Sequence, residues 1–78
     1  MTTVEMKKNF KTKLGFRRIV MIEKGNGKIK YQWSLCYPAI QEGKFVEYVQ
    51  DTYEMSKDDA NKMYSMLKKR GYEYQITK

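Results

Sequence analysis

The sequence predicts a small α+β domain over residues 16–78: a three- to four-stranded antiparallel sheet packed by one helix, in the order β-β-β-α-β. Residues 1–15 precede it as a basic arm or short helix. Three observations carry this expectation. Two β-rich runs flank Gly25-Asn26-Gly27, one amphipathic stretch is bracketed by helix start and stop signals, and a short alternating segment follows it.

Taking the elements in order, Thr2 to Glu5 has the spacing of a capping box, and Met6, Phe10 and Leu14 fall on one helical stripe. Two arrangements of this segment stay open. It is either a free basic arm or a cover that lays Met6, Phe10 and Leu14 over Ile19 and Met21. Phe16 to Glu23 then reads as a strand, and Lys28 to Tyr37 as its hairpin partner. The second run alternates without a break, Ile29, Tyr31, Trp33, Leu35 and Tyr37 against Lys28, Lys30, Gln32, Ser34 and Cys36. Asn-Gly is the preferred pair for a two-residue hairpin turn. A turn at Asn26-Gly27 sets Ile22 opposite Tyr31, Val20 opposite Trp33 and Glu23 opposite Lys30, and a turn at Gly25-Asn26 keeps the same faces. A three-residue loop would set Ile22 opposite Lys30, and that mismatch argues against it.

Pro38 closes the second strand, and Gln41-Glu42-Gly43 makes a turn. Lys44 to Tyr53 forms a third strand with Phe45, Val49 and Tyr53 on one face and Val46 and Tyr48 on the other, a mixed pattern that suits a central position or a bulge. Ser56 is the expected N-cap, with Asp59 three positions on and Asp58 in the first turn. Ala60, Met63, Tyr64 and Leu67 make the buried stripe. Lys68, Lys69 and Arg70 fill the last turn, and Gly71 followed by Tyr72 suits a Schellman ending. Tyr72, Tyr74 and Ile76 then define a short edge strand.

Composition narrows the function. The chain has 78 residues, one cysteine and no histidine. Without histidine the commonest general base and metal ligand are missing, and one cysteine cannot build a structural zinc site. Cys36, mid-strand, reads as a small half-buried hydrophobe, and Asp58 with Asp59 reads as helix capping rather than a catalytic pair. No cofactor is implied, and a non-enzymatic role is expected. The longest uncharged apolar run, Ile19 to Ile22, is far short of a spanning or signal segment. An intracellular, cytoplasmic location without membrane association follows as the expectation.

Charge is the most informative feature. Lys7, Lys8, Lys11, Lys13, Arg17, Arg18, Lys24, Lys28 and Lys30 face only Glu5 and Glu23 in the first thirty residues, while the remainder balances, so the whole excess of +7 lies in the first part. Cations interleaved with Phe10, Phe16 and aromatic strand residues are the footprint of nucleic-acid binding. On the expected hairpin register, Arg17, Met21, Lys30 and Gln32 form an outward face, and Tyr31, Trp33 and Tyr37 lie under the helix. The candidate binding residues are therefore Lys7, Lys8, Lys11, Lys13, Arg17, Arg18, Met21, Lys24, Lys28, Lys30 and Gln32.

From Phe16 to Arg70, the order of three antiparallel strands and one packing helix resembles the arm-type DNA-binding domains of tyrosine integrases and the plant AP2-type domain, in which the sheet enters the major groove. The resemblance is one of topology, and no motif carries a role onto individual positions. The Lys-, Tyr- and Met-rich makeup is also similar to that of short phage-encoded accessory proteins, many of which bind and block a host protein. Two functions follow as expectations. One is a module that engages DNA, RNA or a nucleic-acid-handling complex. The other is an inhibitor or adaptor that binds an acidic or nucleic-acid-binding host protein in the host cytoplasm.

Overall fold

The computed structural model describes residues 2–78. It contains β1 (Thr3–Asn9), β2 (Phe16–Glu23), β3 (Lys28–Pro38), β4 (Phe45–Ser56), α1 (Lys57–Lys69) and β5 (Glu73–Thr77). The five strands form one antiparallel sheet in the order β4-β3-β2-β1-β5. The α+β class and the single packing helix agree with the sequence. The sheet has one more strand than the three or four expected.

That extra strand corrects the reading of residues 1–15. Residues 3–9 are neither an arm nor a helix but a strand flanked on both sides, by β2 and by β5. Met6 has no exposed surface and is packed in the main core with Ile19 and Met21. The amide of Phe10 donates to the carbonyl of Gly15 at 3.0 Å and closes the β1–β2 connection.

The β2–β3 register is the second correction. Ile22 lies opposite Lys30, Met21 opposite Tyr31 and Ile19 opposite Trp33. This is the pairing that follows from a three-residue loop, with the Lys24 amide donating to the Lys28 carbonyl at 3.0 Å. Gly25 and Gly27 supply the positive φ values of +83° and +79° that such a loop demands here. A shift of one residue exchanges the faces of β2. Ile19 and Met21 therefore point toward the helix, and Val20 and Ile22 point away.

The helix begins and ends as its signals require. Ser56 Oγ accepts from the Asp59 amide at 3.1 Å. At the other end the amides of Tyr72 and Gly71 donate to the carbonyls of Leu67 and Lys68, each at 3.1 Å, which is the Schellman pattern. Its thirteen residues span about 20 Å. Four strand spacings, the distance from β4 to β5, come to about 19 Å. The helix thus carries the chain obliquely from one sheet edge to the other across a single face. Ala60 and Leu67 are buried there against Met6, Ile19, Met21, Ile29 and Tyr31, with Met63 and Tyr64 packed beside them.

β4 is an edge strand, not a central one. A register shift between Trp33 and Ser34 leaves Gln50 without a partner, since Asp51 pairs with Trp33 and Val49 with Ser34. This bulge changes the phase of the strand. Tyr53 joins Val46 and Tyr48 on the helix side, while Phe45 and Val49 stay on the opposite face.

Candidate nucleic-acid interface

An oblique helix leaves opposite corners of the sheet uncovered. At its C-terminal end the uncovered corner belongs to β3 and β4, and next to it, along β1, the β1–β2 loop and β2, the structure gathers cations. Lys8, Lys11, Arg17 and Arg70 line a groove of about 340 Å³ together with Asn9, Phe10 and Tyr72, and no acidic side chain among the described residues lines it. Arg17, Arg70 and Tyr72 also border an adjoining hollow of about 210 Å³ that reaches Trp33, Tyr53 and Met66. The two form one continuous surface.

Backbone geometry explains the gathering. In the β1–β2 register Lys8 pairs with Arg17, and in the β2–β3 register Arg17 pairs with Leu35. All three are on the helix side of the sheet, and Lys8 and Arg17 lie at the C-terminal end of the helix. Lys8 donates its ammonium to the Arg70 carbonyl at the helix C-terminus, where cations are favoured. It also sits over the Tyr72 ring, 5.7 Å from the centroid. Lys13 lies 4.9 Å from the Phe10 centroid and 5.1 Å from that of Tyr37. Cations held against ring faces present charge and π-surface together.

The remaining predicted residues are elsewhere. Lys24 and Lys28 flank the β2–β3 turn at the opposite end of the sheet, seven or more strand residues and so about 20 Å or more from Arg17. Lys7, Arg18, Lys30 and Gln32 belong to the face without the helix. There Arg18 is held by Glu5 at 2.6 Å and Glu47 at 2.7 Å, and Lys7 approaches Glu5 at 3.5 Å. Burial works to raise the Glu5 carboxyl, but the hydrogen bond and charge of Arg18, with Lys7, outweigh it and hold the group below its usual range. For Arg18, burial is likewise outweighed, by Glu47 and Glu5, and its pKa rises. Arg18 and Lys7 are thus compensated by carboxylates on the same face. Arg18 pairs in register with Ser34 on β3, and Ser34 is buried.

Met21 is placed against expectation. The hairpin pattern puts it on an outward face, but it is 3% exposed beneath the helix, because the register shift turns β2 over. Arg17 also changes face, yet stays exposed because its end of β2 lies past the helix. Of the ring residues expected under the helix, Tyr31 is buried, and that burial, with Tyr53 and Tyr72 nearby, pushes its hydroxyl up to about 12. Trp33 and Tyr37 are only half-buried. Burial, followed by the Glu47 carboxylate, raises the Cys36 thiol.

Arg70 is the contributor that sequence reasoning missed. The sequence places it among the cations of the last helical turn, and only its position one residue past α1 brings it to the groove. Among the described residues no three His, Cys, Asp or Glu side chains gather as metal ligands, and no helix is long and apolar enough to cross a membrane. No family model, curated protein or solved structure matches this chain.

Proposed function

We propose that this protein is a non-enzymatic module that binds nucleic acid through its phosphates, using the groove between the helix C-terminus and the β1–β2 loop. The carrying observation is the convergence of Lys8, Lys11, Arg17 and Arg70 on one concave surface whose lining lacks acidic side chains. Such a surface is a concentrated positive potential, and phosphate neutralisation there releases counterions. Four phosphates neutralised give a slope of log affinity against log salt of about −3 to −4. The test is a salt series of binding to duplex and single-stranded oligonucleotides. Arg17→Glu together with Arg70→Glu reduces both affinity and slope, whereas Lys24→Gln with Lys28→Gln at the far end leaves them nearly unchanged. Absence of binding to every nucleic acid at low salt overturns the proposal.

A second reading, a protein-binding inhibitor or adaptor, is favoured by one observation. β4 is an edge strand of twelve residues, all but Met55 exposed, and its outer backbone groups are available to another strand. A pull-down with and without nuclease separates the two readings. A partner lost on nuclease treatment supports the groove, and one retained supports the edge.

A further inference from the structure

The cationic groove is a rim, and the floor beside it, made by the adjoining hollow and the sheet face next to that hollow, is aromatic. On the same side of the sheet as Arg17, Trp33 and Tyr53 line the hollow beside the C-terminal half of the helix, and Tyr48 follows on the exposed face of β4. Tyr48 is 53% exposed and Tyr53 41%, far more than core rings. Tyr53 and Tyr48 are each steadied by another ring. Tyr53 lies 4.8 Å from Tyr31, centroid to centroid, and Tyr48 makes an edge contact with Tyr37 at 5.9 Å. Ordering these rings on ligand binding therefore costs little further freedom. The single acid on this part of the floor is Asp51, opposite Trp33, and its carboxylate accepts from the Thr52 amide at 2.9 Å.

We infer that the ligand is a single strand of DNA or RNA, its phosphates on Lys8, Lys11, Arg17 and Arg70 and its bases stacked on Trp33, Tyr48 and Tyr53. This rests on the nucleic-acid reading above and narrows it. A duplex offers phosphates to the rim but keeps its base faces stacked inside, so the rings gain nothing from it. Unpaired bases expose their π-faces, and an aromatic floor beside a cationic rim is the arrangement that uses both parts of a single strand. The bulge at Gln50 is the device that puts Tyr53 and Tyr48 on one side, because a regular strand would place them on opposite faces.

Trp33 is the one tryptophan in the chain, so its emission reports directly on the floor. The experiment titrates the protein with oligothymidylate, with oligouridylate and with a DNA duplex of equal length at one salt concentration. Single strands are expected to quench Trp33 and to bind at least about tenfold tighter than the duplex, and the two single-stranded arms tell DNA from RNA. Tyr48→Ala and Tyr53→Ala each weaken single-strand binding by about five- to a hundredfold and leave duplex binding as it was. Tyr48→Phe retains affinity, and melting curves confirm that the variants stay folded. Duplex binding as tight as single-strand binding, or single-strand binding insensitive to both alanine substitutions, overturns this inference while leaving the phosphate-binding groove intact. Loss of binding to all three oligonucleotides in the parent protein overturns the groove as well.

Discussion

Replacing Met6 by alanine tests the central feature of this sheet, that residues 3–9 are a strand within it. Met6 is wholly buried, with Ile19 opposite it on β2 and Tyr74 opposite it on β5. With strands on both sides and the helix above, the backbone has little room to collapse into the space left behind. Burial of this kind puts the cost of Met→Ala at about 2–5 kcal/mol. A chain of 78 residues has a total stability of about 4–12 kcal/mol, so the substitution removes a large share of it. The corresponding fall in melting temperature is about 10–30 °C for a domain of this size. Thermal unfolding followed by circular dichroism measures it, with a urea titration checking that the midpoint moves and the slope does not. Met66→Ala is the control. Met66 is 37% exposed on the helix, and its loss should cost no more than about 0.5 kcal/mol. If Met6→Ala melts within a few degrees of the parent, as a residue in a free arm would, the placement of β1 is refuted.

Two further outcomes follow from local geometry. Gly15 has φ +119°, and a Cβ there would stand 2.3 Å from the Cys36 carbonyl oxygen and 2.9 Å from the Phe10 ring. Gly15→Ala should therefore cost more than about 1 kcal/mol and clearly more than Gly25→Ala, whose Cβ meets open space; equal losses in urea titrations would refute the close approach. Glu5 has its pKa lowered from 4.5, so its contribution to stability is present above that value and is lost as the pH falls through the lower folded-state pKa. The melting temperature of the parent should drop more steeply below about pH 4.5 than that of Glu5→Gln, and parallel acid profiles would count against the Arg18–Glu5 contact.

The helix was legible in the sequence to the residue, because its signals are local: Ser56 and Asp59 at one end, Gly71 and Tyr72 at the other. The hairpin was legible as a hairpin but not in register. Ile19-Val20-Met21-Ile22 is apolar throughout, so a period of two has no phase to choose, and Gly25-Asn26-Gly27 accommodates a loop of two residues or three. What selects the phase is nonlocal, namely the burial of Ile19 and Met21 against Met6 and Leu67. β1 was hidden for a related reason. Lys7, Lys8 and Asn9 fill its second half, Val4 and Met6 are its only apolar residues, and its second neighbour lies at the far end of the chain. Of the site, the cations of the first thirty residues were visible as a group. Their division into compensated and free sets was not, because it depends on which strand face each occupies. Arg17 and Arg18 are adjacent in sequence and serve opposite faces.

The position of β1 between β2 and β5 also dictates an order of assembly. β2, β3 and β4 are joined by short connections and lie side by side, so their pairing closes only small loops. β1 and β5 pair Val4 with Ile76 and Lys7 with Glu73, across almost the whole chain. For a gap of that length the chain entropy of closure is about 4 kcal/mol beyond its constant part, roughly three times the figure for a tight hairpin. That pairing becomes favourable only once the helix has docked and brought its C-terminal end to the β1 side. The meander is therefore expected to form early and β5 to arrive last, and until it does β1 is an open edge carrying Lys7 and Lys8. Positive charge along that edge discourages two half-folded copies from joining strand to strand. In the native state the same seam should open first, and amide hydrogen exchange should be faster in β5 than in β2 or β3.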